Sequence, residues 1–172
     1  NCIIFQEKHA IYLCFFPQKT YLSLLIFDII LTNYERGILS MKDSHERTID
    51  YMRISITDRC NLRCKYCTPE DLPSISHDEI MRFEDILTIA RLAGRLGICK
   101  FKVTGGEPLV RKGCLSFLKA LKELPDTKQV TLTTNGVYLK EHLKELKALG
   151  INGVNISLDT LHPDTFHQIT GR

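Results

Sequence analysis

From residue 51 onward the chain switches repeatedly between two hydrophobic periods, and the switching predicts its architecture. Met52, Ile54 and Ile56 alternate with Arg53, Ser55 and Thr57, the period of a β-strand. Ile80, Ile86, Ile89, Ala90, Ala93 and Leu96 then recur at helical spacing up to Gly97, behind a capping box of Ser76 and Glu79 and with a break expected near Phe83. Phe101 and Val103 alternate with Lys102 and Thr104, and Leu115, Leu118, Leu121 and Leu124 mark a helix ended by Pro125. Val130 and Leu132 alternate with Thr131 and Thr133 ahead of Asn135-Gly136. The stripe of Leu139, Leu143, Leu146 and Leu149 follows, closed by Gly150. Val154, Ile156 and Leu158 alternate with Asn155, Ser157 and Asp159, and a short helix is expected from Pro163 towards Gly171.

Four consecutive strand-helix units predict an α/β fold with a parallel sheet, because right-handed crossovers place the helices on one side. Strands buried on both faces read as continuous apolar runs, yet each strand here keeps a polar phase. With the apolar phase against the helices, Arg53, Lys102, Thr133 and Ser157 would line the lumen of a partial (βα) barrel. A lone cation buried there costs on the order of several kcal/mol unless an anion answers it. An open sheet with one solvated face is the plainer alternative.

Barrel enzymes keep their chemistry at the C-terminal ends of the strands. A cysteine run follows the first strand, Gly105-Gly106 the second, Asn135-Gly136 the third, and Asp159 ends the fourth. Gly105 and Gly106 would let the backbone approach a ligand, and Glu107 offers a carboxylate for an amino group. A glycine pair is also what any tight turn needs.

Composition narrows the reading. The 172 residues, 44% hydrophobic and 25% charged, provide material for one globular domain. A net charge of +3, scattered along the chain, gives no argument for nucleic acid. Seven cysteines in a chain of this length, an odd number, fit a reducing cytoplasm better than a disulfide framework. Residues 1–40 carry only six charged side chains, whereas residues 41–50 carry five. The apolar run Tyr21 to Leu31 is interrupted by Asp28 and falls short of the about 20 residues a membrane span requires. Residues 1–40 therefore read as an extension outside the enzyme, which is expected to begin at Met41.

Cys60, Cys64 and Cys67 lie within eight residues, interleaved with Arg59, Arg63 and Lys65. Three thiolates from so short a segment can hold a metal centre, and neighbouring cations favour the thiolate form. One coordination position is left over. A zinc module would close it with a distant histidine, although structural zinc usually shows paired Cys-x2-Cys knuckles. Cys99 and Cys114 read as small core residues.

The Cys-x3-Cys-x2-Cys run, followed 38 residues after its last cysteine by Gly105-Gly106-Glu107-Pro108, resembles the radical S-adenosylmethionine enzymes. More narrowly, four stretches look like the GTP 3',8-cyclases of molybdenum cofactor biosynthesis. They are Ile56-Thr57-Asp58-Arg59-Cys60-Asn61, Thr104-Gly105-Gly106-Glu107-Pro108-Leu109, Thr133-Thr134-Asn135-Gly136 and Asn155-Ile156-Ser157-Leu158-Asp159. The resemblance covers residues 41–172 and implies the N-terminal part of a radical SAM barrel, incomplete at its C-terminus and expected to be unstable or inactive alone.

It further implies that Cys60, Cys64 and Cys67 bind three irons of a [4Fe-4S] cluster whose fourth iron takes S-adenosyl-L-methionine. Reductive cleavage would give a 5'-deoxyadenosyl radical that removes hydrogen from C3' of GTP, and the sugar radical would close onto C8 of the guanine. By the same resemblance Tyr66, Gly106 and Ser157, with Gly105 and Glu107, belong to the S-adenosylmethionine site, and Arg53, Lys102 and Thr133 to the GTP site. Lys102 stands where many members carry arginine, keeping the charge but losing the bidentate fork. Thr68 replaces a usual methionine, and Arg111 reads as a solvated cation at a helix start. A second [4Fe-4S] cluster is expected in a C-terminal region. The implied partners are an electron donor and a cyclic pyranopterin monophosphate synthase that receives the product, with no membrane and no nucleic acid; a homodimer is left open. A peptide-modifying maturase on the same half-barrel would share the cysteines and the glycine turn.

Overall fold

The computed structural model describes residues 3–7, 10–14, 42–67 and 80–172. Among these, six strands form one sheet in chain order: β1 (Ile3–Glu7), β2 (Ala10–Cys14), β3 (Tyr51–Ser55), β4 (Lys100–Thr104), β5 (Gln129–Thr134) and β6 (Gly153–Ile156). β3 to β6 run parallel and are joined through α1 (Phe83–Arg95), α2 (Cys114–Lys122) and α3 (Leu139–Ala148), with α4 (Pro163–Thr170) following β6. This is the predicted α/β array of four strand-helix units. β1 and β2 pair antiparallel, and β2 joins β3 in parallel, so part of the segment before Met41 continues the sheet edge. The run Tyr21 to Leu31, the capping box of Ser76 and Glu79, and Thr68 lie outside the described residues.

The strand periods resolve as the sequence requires. Met52, Ile54, Phe101, Val103, Val130 and Leu132 are all buried, whereas Arg53, Ser55, Lys102, Thr131 and Thr133 on the other face are half-buried. The apolar face packs on Ile86, Ala90 and Ala93 of α1 and on Cys114, Phe117, Leu118 and Leu121 of α2, forming one core. α1 begins at Phe83, where a break was expected, because Arg82 is extended and cannot continue a helix backwards. Glu84 and Asp85 in its first turn and Arg95 in its last suit the helix dipole. Gly97, at φ 95°, supplies the left-handed residue that ends it.

Packing thins towards β6. Of the predicted α3 stripe only Leu146 is buried, while Leu143 is 54% exposed. Ile156 and Leu158 keep the apolar phase of the last strand but are 55% and 52% exposed. Among the described residues β6 pairs with β5 alone and forms the edge of the sheet.

Candidate radical cofactor site

The loops after β3 and β4 are fused by backbone hydrogen bonds, and the turn after β5 is tied to both by the side chains of Glu107 and Asn135. Ile56 N donates to Thr104 O at 2.8 Å, Gly106 N to Thr57 O at 2.6 Å, and Glu107 N to Arg59 O at 2.8 Å. The cysteine loop thus lies against the glycine turn from its first residue. A Cβ on Gly105 would sit 2.6 Å from Thr57 O, and one on Gly106 would sit 2.6 Å from both the Arg59 carbonyl carbon and Asp58 O. The absent side chains leave room on that side for the backbone leading to Cys60.

Glu107 departs from expectation. Its carboxylate is buried and accepts from Leu109 N (3.0 Å), Thr134 Oγ1 (2.8 Å) and Asn135 N (2.7 Å). A group held by three donors ties the β4 turn to the β5 turn and does not face outward towards a ligand amino group. Sequence alone could not place it, since its partners lie 27 and 28 residues away.

The cysteine loop is braced from several sides. Leu62 is buried, and its N–H donates to Cys60 Sγ at 3.3 Å. Cys67 N donates to Cys64 O at 2.9 Å, closing a turn. Arg63 N donates to Thr170 O at 2.8 Å and Lys65 N to Ile169 O at 3.0 Å, so carbonyls at the C-terminal end of α4 hold the loop. The Arg63 guanidinium donates to the carbonyls of Cys60 (2.6 Å) and Leu62 (2.9 Å). It was expected to favour thiolates, but it serves the backbone. Burial, the largest influence on Cys64, pushes its thiol up from the ordinary value, opposite to the expected effect of neighbouring cations.

Cys60 and Cys64 are half-buried, Cys67 is exposed, and all three are free thiols. Among the described residues no three His, Cys, Asp or Glu side chains converge in a metal-binding geometry. The donor set nevertheless fits a three-thiolate centre: soft ligands on one loop, open to solvent, with backbone N–H donation to a sulfur already in place. Tyr66, 68% exposed, donates its hydroxyl to Asp159 Oδ2 at 2.7 Å and so links the loop to the segment after β6. That hydrogen bond, ahead of burial, pushes the phenol pKa up.

On the polar face Arg53 pairs in register with Lys102, and Lys102 with Thr131. Both side chains are half-buried on that face. Thr133 stands one step nearer the rim, in register with Asn155. Ser157, exposed, lies beyond the end of β6 and donates its N–H to Thr134 O at 2.9 Å. Arg111 is not the solvated cation expected from sequence. Half-buried, it donates to the carbonyls of Ile56 and, at 2.7 Å, Met81, and it stacks 3.9 Å over the Phe83 ring, which itself stacks on Phe117 at 4.7 Å.

A family profile described as the Radical SAM superfamily matches residues 54–172, from within β3 to beyond α4. The chain belongs to the radical SAM superfamily. Among curated relatives, a GTP 3',8-cyclase of Petrotoga mobilis is 49% identical over 133 residues, 77% of this chain and 41% of that protein. A GTP 3',8-cyclase of Peptoclostridium acidaminophilum is 50% identical over 129 residues, 74% of this chain and 40% of that protein. The chain therefore spans about two fifths of the length of these relatives. The crystal structure of BtrN in complex with AdoMet and 2-DOIA matches with a TM-score of 0.50 at 18% identity, covering 70% of this chain and 50% of that one, and so shares the fold. A radical SAM half-barrel accounts for the motifs gathered on one rim.

Proposed function

We propose that this chain is the N-terminal part of a GTP 3',8-cyclase, with its radical chemistry started at the Cys60, Cys64 and Cys67 loop. The observation that carries the reading is the seating of the cysteine loop on the glycine turn, through Gly106 N to Thr57 O and Glu107 N to Arg59 O, with Arg53 and Lys102 in register on the two strands that lead into them. The near-half identity to proteins named as that cyclase supports it. A [4Fe-4S] cluster on the three thiolates would supply the electron that cleaves S-adenosyl-L-methionine and so begins conversion of GTP to (8S)-3',8-cyclo-7,8-dihydroguanosine 5'-triphosphate, the first step of molybdenum cofactor biosynthesis.

The chain's own residues divide that work. Tyr66, Ser157 and the Gly105-Gly106 backbone present the rim to S-adenosylmethionine, and Glu107 holds the turn that carries those glycines. Arg53, Lys102 and Thr133 receive GTP, Lys102 as a point charge where an arginine would grip a phosphate with two bonds. An electron donor, a second cluster in a C-terminal region and a synthase consuming the product complete the pathway step. Residues 1–40 lie outside the catalytic unit in this reading. A cytoplasmic setting is supported by five free cysteines among the described residues, where no helix is long and apolar enough to cross a membrane.

The test is anaerobic iron and sulfide analysis of the full-length protein, then incubation with reductant, S-adenosylmethionine and GTP. Iron with sulfide, and a GTP-derived product bonded between C3' and C8, are expected. Zinc in place of iron would overturn the radical reading. 5'-Deoxyadenosine formed only when a peptide is supplied would select a maturase.

A further inference from the structure

The Asn135 side chain sits where the three fused loops meet. Its backbone N–H is held by Glu107 Oε2 at 2.7 Å, and its Oδ1 accepts from Val137 N at 3.0 Å. With both its amide nitrogen and its side-chain oxygen engaged, the side chain is fixed in orientation. Its Nδ2 then carries two hydrogens in one direction: one to Asn61 Oδ1 at 2.7 Å, the other towards Cys60 Sγ at 3.7 Å. Cys60 Sγ also receives Leu62 N at 3.3 Å. Asn61, between the first two cysteines, has a buried Nδ2 with no hydrogen-bond partner among the described residues. A buried amide donor without an acceptor costs about 1–3 kcal/mol, so its retention calls for a use.

We propose that Asn135 and Asn61 form a paired-amide support for the radical cluster, Asn135 donating to the ligating sulfur of Cys60 and the free Nδ2 of Asn61 donating to a sulfur of the bound cluster. Both are positioning residues, and the inference rests on the proposed assignment of Cys60, Cys64 and Cys67 to a [4Fe-4S] cluster. The physical effect follows from charge. Reduction makes the cluster as a whole, and with it the sulfurs, more negative, and an N–H donor to sulfur stabilises that state, raising the reduction potential. The chain of contacts explains why such a donor comes from the β5 turn. Glu107 fixes the backbone of Asn135, Asn135 fixes Asn61, and the pair places N–H groups beside a loop whose own arginine is turned to backbone carbonyls.

The experiment uses the full-length protein, reconstituted anaerobically with iron and sulfide. Asn135→Ala, Asn61→Ala and the double variant are compared with the parent in iron and sulfide content, midpoint potential of the S-adenosylmethionine-binding cluster, and ENDOR of the reduced cluster after exchange into D2O. Iron and sulfide per chain are expected to hold. The reduced-to-oxidised ratio at the parent's midpoint is expected to fall about tenfold in Asn135→Ala, a shift of about 59 mV for one electron. An exchangeable proton coupling should vanish in that variant, and a second in Asn61→Ala. The double variant should shift by less than the two single shifts together, because the amides hold one another.

Unchanged potential and proton couplings in a fully loaded Asn135→Ala would overturn the proposal while leaving the cluster assignment standing. A parent protein that takes up no iron would overturn the assignment itself. Should Asn135→Ala fail to load, Asn61→Ala decides alone, since it removes the unpartnered donor without touching the Glu107 tie; no shift in it refutes the pair.

Discussion

Replacing Gly106 by alanine tests the claim that the glycine turn exists to seat the cysteine loop. The added Cβ would stand 2.6 Å from Asp58 O and from the Arg59 carbonyl carbon, atoms of backbone that no side-chain rotation can move aside. Relief requires the loop to withdraw, which breaks the Gly106 N to Thr57 O and Glu107 N to Arg59 O bonds. Two backbone bonds at about 0.5–1.5 kcal/mol each, with about 1–3 kcal/mol for overpacking, give an expected loss of about 2–6 kcal/mol. Gly150→Ala is the control. That position has a positive φ of 67° but no heavy atom within 4 Å of a built Cβ, so only backbone strain of about 1–2 kcal/mol applies. Urea unfolding of the full-length apo protein measures both, and iron uptake reads the loop separately. Gly106→Ala should lose more stability than Gly150→Ala and most of its iron. Equal losses, with iron uptake intact in both, would show that the close approach does not govern the loop.

Further outcomes follow from other contacts. Cys60→Ser, Cys64→Ser and Cys67→Ser should each lose most bound iron by colorimetric assay, while Cys99→Ala and Cys114→Ala keep it. Arg111→Ala removes two hydrogen bonds to carbonyls and a ring contact, and should lower the stability read by urea unfolding by about 2–4 kcal/mol; Arg111→Lys should recover part of this. Cys114 is buried, and that burial, reinforced by nearby Glu107 and opposed by Arg111, pushes its thiol up to about 12. The unfolded thiol ionises from about 8.5 while the folded one stays neutral, so this contribution is intact below that value and is lost as pH rises towards 12. Stability should fall by about 1.4 kcal/mol per pH unit in that window, and a Cys114→Ala protein should show a shallower fall. Alkylation by iodoacetamide at pH 8 should mark exposed Cys67 well before Cys114.

The order of elements was legible because each strand of the array keeps a period of two and three of the four helices end at a glycine in the left-handed conformation, whereas α2 stops at Lys122, short of the Pro125 expected to end it. Gly97 and Gly150 both take the left-handed conformation where helices were expected to stop. The covalent spacing of Cys60, Cys64 and Cys67 was equally legible, since all three sit on one loop. What escaped the sequence were ties between distant residues. Glu107 reads as an outward carboxylate until Thr134 and Asn135 are brought to it, and Arg111 reads as a solvated cation until the carbonyls of Ile56 and Met81 are placed beside it. Leu143 and Leu158 fit the apolar period but lie exposed, because periodicity reports which face a residue occupies and not whether anything covers it. The family resemblance carried the Asn135-Gly136 motif, but only the fold shows Asn135 reaching Cys60.

The grip of α4 on the cysteine loop has a consequence for the order of synthesis. Arg63 and Lys65 hand their amides to carbonyls of residues more than a hundred positions later. At about 5–20 residues per second, translation leaves roughly 5–20 seconds in which the three thiols have emerged and their clamp has not. Throughout that interval the three thiols lack the two α4 contacts, although the bonds from Gly106, Glu107 and Asn135 can already form. The last brace on the cysteine loop is therefore also the last to be synthesised, so the order in which the loop is secured follows the order of the strands.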